Sequence, residues 1–430
     1  MDTGRIKSVS IKKLWGVKNI STEFNEHVNI FIGTNGSSKT TFLNLIEAAL
    51  LCDINTLANI EFESIEIELL SEQPTSLRLC KAHNKDDDTQ VIKYTFNDVI
   101  YEILCNEMML RSYRSSYSRH KESYQAIKSE LSKLINISWL SINRDNTASF
   151  EYDRGSREYV ERIKNMVDIK LHDLLKKLIL YQLQLESEAN KSANKFKEDS
   201  LSLMLYNESF DIFNVDYFTN ITTEDINLMK IELYKAFKVL GVKEKNEQIQ
   251  THIKKINDVL SDIKEESRVR VEDVSVLSLI KRTFSIIDIF KMHEEQKKQI
   301  FEPVHKFWDC LKRFMPNKTF VFDKENDDNI SITLKEGDFQ DVPISITSLS
   351  SGEKQLFILL TEALLQRGTP HLFIADEPEL SLHIEWQRKI LSALLDLNPN
   401  AQIIVATHSP EIAGNFADNI INMKKITSYE

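Results

Sequence analysis

The stretch VNIFIGTNGSSKTTF, Val28 to Phe42, decides how the chain is read. VNIFI is an apolar strand, GTNGSS a turn of small residues, and KTTFLNLIEAALL a helix with an apolar stripe. That order lines up successive backbone N–H groups with the positive end of a helix dipole, which together favour an anion. Gly33, Asn35, Gly36, Ser37, Ser38, Lys39, Thr40 and Thr41 are therefore candidates for cradling a chain of phosphates. Lys39 would reach the β- and γ-phosphates as a point charge, and the Thr40 hydroxyl would coordinate Mg²⁺. Ser38 stands where such loops ask for a second glycine. As a residue entering a helix it is expected to crowd the phosphates modestly, at little backbone cost, tuning the site without abolishing it.

Working outward, 430 residues are enough for two or three units and a sizeable core. With 42% hydrophobic and 28% charged residues the chain reads as globular. Glycine and proline are scarce, which favours long helices over a turn-rich β protein. A net charge of −11 excludes a general nucleic-acid coat and leaves only a local patch for such a contact. Cys52, Cys80, Cys105 and Cys310 are scattered without CxxC spacing, which points to a reducing compartment and no structural metal. No charged-then-apolar leader and no long apolar run is present, so a soluble, cytoplasmic protein without a membrane partner is expected.

Three zones follow. Up to residue 105, SIEIELL, SLRLCKA, QVIKYTF and VIYEIL alternate with period two, while IKSVSIKKL and HVNIFIG flank a turn. From 106 to 317 helical spacing takes over: Val160, Ile163, Val167, Leu171, Leu174, Leu178, Tyr181 and Leu185 form a heptad seam, as do Ile253, Ile256, Leu260 and Ile263. TTEDINLMKIELYKAFKVLG starts on capping residues and stops at Gly241. From 318 to 430 strands and helices alternate, with acidic DKENDDN (Asp323–Asn329) as a hairpin loop.

Three more motifs lie in the last zone. SLSSGEKQLFILLTEALL, Ser348 to Leu365, puts Ser350, Ser351, Gly352 and Glu353 at a helix N-terminus. This reads either as a second anion site without a lysine or as a plain capping box of Ser350 and Glu353. PHLFIADEPELSLH delivers Asp376 and Glu377 at the end of a buried strand, where Asp376 would hold Mg²⁺ and Glu377 would polarise the attacking water. AQIIVATHSP brings His408 to the same edge, within reach of a γ-phosphate.

In this order the motifs resemble those of the ABC-type ATPases: a Walker A loop beginning GTNG, the signature LSSGEKQ, a Walker B strand FIADE, and the switch histidine. The resemblance covers residues 1 to about 105 and 318 to 430. It implies an α/β fold, an ABC-type ATPase head of mixed sheet plus an antiparallel β subdomain, with a large α-helical or coiled-coil insertion. The domains would be 1–105 and 318–430 for the two halves of the head and 106–317 for the insertion. It implies ATP and Mg²⁺ as cofactors, Glu377 and His408 as catalytic residues, and Thr40 and Asp376 as metal ligands. Ser351 and Gly352 of one protomer would cap the γ-phosphate held by Lys39 of another, hence a homodimer or larger even-numbered assembly.

The distance from Lys39 to Ser350 takes up most of the chain, unlike a transporter subunit; this resembles the soluble SMC, Rad50, RecF and OLD branch. DEPELSLHIEWQRKIL and LSSGEKQLFILLTEALL look most like OLD-like ATPases of bacterial anti-phage systems. OLD nucleases add a Toprim domain after the ATPase core, and the short tail beyond His408 offers no room for one. An ATPase with a separate nuclease effector is expected, as in PARIS (Toprim type, which the compact length suits) or Septu (HNH type), triggered by a phage protein. The alternative is a RecF- or Rad50-like repair ATPase that binds DNA.

One continuous helix over 158–203 would span ~70 Å. Its seam must close within an internal bundle or against another subunit. Arg111, Arg114, Arg119 and Lys121, interleaved with Tyr113 and Tyr117, read either as a patch for DNA or an acidic protein, or as a solvated helix face.

Overall fold

Five parallel strands carry the phosphate loop. In spatial order they are Ile420–Asn422 (β14), Val28–Ile32 (β3), Ala401–Thr407 (β13), His371–Asp376 (β12) and Ile137–Ser141 (β8). The three central strands are almost continuously buried, as strands covered on both faces are, which is why they read as unbroken apolar runs. Register pairs Asp376 with Ala406 and Thr407 with Ile32, so three strands end together at one carboxyl edge, where open α/β sheets place their ligands. The computed structural model describes residues 4–70, 75–84, 89–96, 98–105, 114–141, 166–206, 208, 218, 220–242, 246–266, 273–323, 330–334 and 342–429.

A second, antiparallel sheet runs Thr427–Tyr429 (β15), Lys18–Glu23 (β2), Arg5–Leu14 (β1), Ser64–Leu70 (β4), Thr75–Asn84 (β5), Thr89–Phe96 (β6) and Val99–Leu104 (β7). Its period-two pattern is the expected one: Ile65, Ile67 and Leu69 are buried. Glu66 and Glu68, on the other face, meet Arg78 at 3.1 Å and Lys7 at 3.4 Å. The expected turn after IKSVSIKKL proves to be a hairpin into β2, paired antiparallel with β1. Lys318–Phe322 (β9), Ile330–Leu334 (β10) and Val342–Ile344 (β11) form a small third sheet. The acidic loop expected between β9 and β10 lies, at 324–329, outside the described residues.

Helix Lys39–Leu51 (α1) sinks Phe42, Leu43, Leu45 and Ile46 into one core with Ile65, Leu79 and Tyr94 of the antiparallel sheet and with Ile127 and Leu131 of Arg114–Leu134 (α3). Each such side chain contributes roughly 1.5–3 kcal/mol. Ile54–Asn59 (α2) follows α1, Ser351–Leu365 (α8) precedes β12, Ile384–Leu397 (α9) crosses from β12 to β13, and Met423–Ile426 (α10) precedes β15.

The chain divides into two compact units, residues 1–179 with 304–430, and residues 180–303. The second unit is narrower than the insertion expected at 106–317. The reason lies in β8, which hydrogen-bonds to β12, and in α3, which belongs to the core around α1. Two long helices, Met166–Ser202 (α4) and Val274–Phe314 (α7), contribute residues to both units. Within 180–303, Ile253, Ile256, Leu260 and Ile263 of Asn246–Glu266 (α6) share a core with Ile226, Met229 and Leu233 of Thr223–Val239 (α5) and Leu277, Ile280 and Ile287 of α7. This seam therefore closes inside the chain. Helix α5 carries a Thr222–Asp225 capping box and stops ahead of Gly241, as its sequence dictates.

On α4, Leu171, Leu174, Leu178, Tyr181 and Leu185 of the expected seam are buried; Val160 and Ile163 lie outside the described residues. So do Arg111 and Tyr113, and no side chain of the basic stretch is described before Lys121, which is exposed. No helix among the described residues is long and apolar enough to cross a membrane.

Candidate active site

Lys39 is the first residue of α1 and only 5% exposed. Its ammonium donates to the Gly33 carbonyl at 2.9 Å and to His408 Nε2 at 2.9 Å. Lysine can only donate, so that imidazole nitrogen must be the acceptor. Burial pulls the ammonium below its ordinary range, while Glu377, Asp376 and Glu379 oppose the fall. Asn35 and Gly36 form the exposed tip of the loop, and the Ser37 N–H donates to the Thr34 carbonyl at 3.1 Å. A Cβ on Gly33 would stand 2.5 Å from Ser37 Oγ, so the Ser37 hydroxyl would have to turn away to admit any larger residue there.

Ser38 precedes α1 at φ 68, ψ 23, and its hydroxyl makes no capping bond. The expectation of little backbone cost is therefore corrected: a non-glycine residue in the left-handed region carries roughly 1 kcal/mol or more of strain. With no side chain capping them, the first N–H groups of α1, including those of Lys39, Thr40 and Thr41, are available to a ligand. Lys18 of β2 reaches over the loop, 3.0 Å from Ser38 Oγ and 3.5 Å from the Gly36 carbonyl. Sequence reasoning missed this lysine, because only the β1–β2 pairing brings it there. A cavity of about 300 Å³ opens beside the loop, lined by Gly33, Thr34, His408 and Lys424 among others.

Asp376, the last residue of β12, is 6% exposed, and the Thr40 side chain bonds to it. Burial lifts its carboxyl above the ordinary range; the Thr40 bond pulls down and Glu377 adds to the lift. Its Oδ1 is buried without a hydrogen-bond partner. An orphaned carboxylate oxygen beside a threonine hydroxyl is a donor set that suits a hard divalent cation, so Thr40 and Asp376 fit Mg²⁺. Glu377 follows at φ 49, its N–H donating to the Ala406 carbonyl at 2.8 Å and its Oε1 lying 3.7 Å from His408 Nε2. Lys39 and His408, which touch, are 369 positions apart in sequence.

Glu379 was not singled out in the sequence, although it is the third carboxylate of DEPE. It is 7% exposed. Its Oε1 accepts a short bond from the Thr407 hydroxyl and further bonds from the N–H groups of His408 at 3.2 Å and Ser409 at 3.3 Å. Burial raises its carboxyl, and these donors work against the rise.

The signature residues behave differently. Ser350 N–H donates to Glu353 Oε2 at 2.9 Å and Glu353 N–H to Ser350 Oγ at 3.4 Å, so the capping box exists. Glu353 also accepts from Lys318 at 2.6 Å. Ser351, the first residue of α8, is exposed, and a Cβ on Gly352 would lie 2.3 Å from the Ser381 carbonyl. Among the described residues no hydrogen bond links these four to Lys39, Asp376, Glu377 or His408 within the chain. Helix α8 is instead tied to the start of α4 by Lys354–Asp168 at 2.8 Å and Glu362–Lys170 at 2.5 Å, and to the end of α7 by Phe357–Phe307, ring centroids 5.8 Å apart.

The sequence pattern of the AAA ATPase domain family matches residues 5–413. The chain belongs to that family. This AAA ATPase is 25% identical to the retron Vc95 probable ATPase of Vibrio cholerae serotype O1 biovar El Tor over 185 residues, which is 36% of this chain and 34% of that protein. It is 33% identical to the retron Ec83 probable ATPase of Escherichia coli over 86 residues, 17% of this chain and 16% of that one. The chain thus spans about a third or less of the curated relatives it matches. Among solved structures, the SMC head domain with an extended coiled coil bound to the C-terminal domain of ScpA, from Pyrococcus furiosus, covers 99% of this chain and 96% of its own at 13% identity and TM-score 0.40. The phosphate loop and the carboxylates Asp376 and Glu377 converge around Lys39 and His408, in keeping with an ATPase of that family.

Proposed function

We propose that this chain is the ATP-hydrolysing subunit of a bacterial anti-phage complex, acting as a homodimer or larger even-numbered assembly that holds or releases a separate nuclease effector. The hydrolytic part rests on one observation: Lys39, Thr40, Asp376, Glu377 and His408 meet at the carboxyl edge of the parallel sheet. The defence part is supported by the OLD-like motifs and by likeness to two retron probable ATPases.

A triphosphate laid over Gly33 to Thr41 meets the uncapped N–H groups of α1. Lys39 leaves Gly33 and His408 to take phosphate oxygens, which frees the imidazole to touch the γ-phosphate. Mg²⁺, held by Thr40 and Asp376, would neutralise charge between the β- and γ-phosphates. Glu377 orients a water in line with the γ-phosphorus and accepts its proton. Ser351 and Gly352 of a second copy complete the site, since among the described residues no hydrogen bond joins them to Lys39 within one chain. Because α8 clasps both α4 and α7, closing two copies on ATP pulls on the helices that lead into residues 180–303.

The test is Glu377→Gln. ATP hydrolysis should fall at least ~100-fold with nucleotide still bound, and light scattering should show an ATP-stabilised dimer or larger species. Wild-type turnover in that variant, or a protein that stays monomeric with ATP and Mg²⁺, removes the mechanism. Salt-dependent DNA binding by the chain alone would favour the repair reading instead.

A further inference from the structure

We infer that Glu379 is a positioning residue for His408: its carboxylate clamps the Thr407–Ser409 turn so that the imidazole faces the γ-phosphate. The inference rests on the ATPase reading of the site and deepens it.

Three donors converge on one oxygen, Oε1: the Thr407 hydroxyl, the His408 N–H and the Ser409 N–H. They come from the switch histidine and both its neighbours, so the clamp fixes the backbone from which the imidazole projects. The turn is stiffened from within, because Ser409 N–H also donates to Thr407 Oγ1 at 2.8 Å. It is tied a second time to the segment after the Walker B strand. Ser409 Oγ donates to Gln387 Oε1 at 2.7 Å, and Gln387 Nε2 donates to the Leu382 carbonyl at 3.0 Å.

Thr407 is fully buried and Glu379 nearly so. Without the carboxylate, the His408 N–H would lose its partner, and the Ser409 N–H and Thr407 hydroxyl would keep only their bonds within the turn, 2.8 Å to Thr407 Oγ1 and 3.2 Å to the Ser409 carbonyl. Bonds to an ionised acceptor are shorter and roughly twice as strong as neutral ones, which suits a group whose task is to hold a position. Glu379 itself has no bond to Lys39 or His408 side-chain atoms among the described residues, so its influence on the chemistry passes through the turn.

The experiment is a double-mutant cycle in the full chain, reading kcat and KM for ATP. Glu379→Met fills the buried volume but removes every acceptor, so kcat should fall ~10–100-fold while KM stays within about threefold. Glu379→Gln keeps one acceptor oxygen and should recover most of that loss. On the His408→Ala background, Glu379→Met should add no further loss, because the group it positions is gone. Should Glu379→Met not fold, Thr407→Val, which removes one of the three donors, takes its place in the cycle with the same expected non-additivity.

Losses that multiply in the double variant overturn the inference, as does a Glu379→Gln protein as slow as Glu379→Met. If His408→Ala is slow and Glu379→Met is not, the positioning role alone fails. If His408→Ala turns over like wild type, the reading of His408 in the ATPase site falls, and this role with it.

Discussion

Replacing Ser38 by glycine and by alanine separates backbone strain from side-chain contact. Both variants lose the hydroxyl and with it the 3.0 Å bond from Lys18, so that loss cancels between them. What differs is a Cβ on a residue at φ 68, ψ 23. The left-handed region costs a residue with a Cβ roughly 1–2 kcal/mol relative to glycine. Glycine's greater freedom in the unfolded chain takes back about 0.4–1 kcal/mol. The glycine variant should therefore be the more stable of the two by roughly 0.5–1 kcal/mol, a rise of about 1 °C in melting temperature for a chain of this size. Calorimetry on nucleotide-free protein reads the difference directly. The strain is present with and without ligand, so ATP affinities of the two variants should agree within about threefold. An alanine variant as stable as the glycine variant would show that residue 38 is not left-handed in solution.

Gly352→Ala should lower stability by about 1–3 kcal/mol, since its Cβ would meet the Ser381 carbonyl at 2.3 Å and neither backbone can swing aside; an unchanged melting temperature refutes the close approach. Glu47, on α1, has its carboxyl lifted from 4.5 to about 7 by burial and then by Asp53. The folded state keeps that proton longer than the unfolded chain, so stability falls as pH rises between these values. Glu47→Gln should match wild type near pH 4 and exceed it above pH 7 by ~1–2 kcal/mol, after allowance for its partial exposure, in melts across that range. A difference that does not vary with pH refutes the shift. Lys18→Met should weaken nucleotide binding about 3–10-fold in a fluorescent-nucleotide titration, less at high salt, because Lys18 sits 3.0 Å from Ser38 Oγ over the loop; equal affinity means Lys18 does not reach the phosphates.

Much of the site was legible because its signals are local. Apolar runs betray strands buried on both faces, the small-residue turn ahead of Lys39 marks an anion cradle, and Thr222 and Gly241 bound a helix by chemistry a few residues long. The grouping of Lys39, Asp376, Glu377 and His408 could be anticipated for the same reason, since Asp376, Glu377 and His408 stand at or just after strand ends and Lys39 opens the helix that follows a strand and its loop.

What the sequence left open is whatever depends on partners far along the chain. Gln402 accepts from the Ile6 N–H, 396 positions away, and no spacing rule predicts it. Nor does one predict that Ile137–Ser141 joins the parallel sheet, that Lys18 arches over the loop, or that Glu379 grips the turn around His408. The handedness of Ser38 belongs here too: a tetrahedral carbon takes its φ from how strand β3 and helix α1 are joined over a common core, and that angle is set by packing.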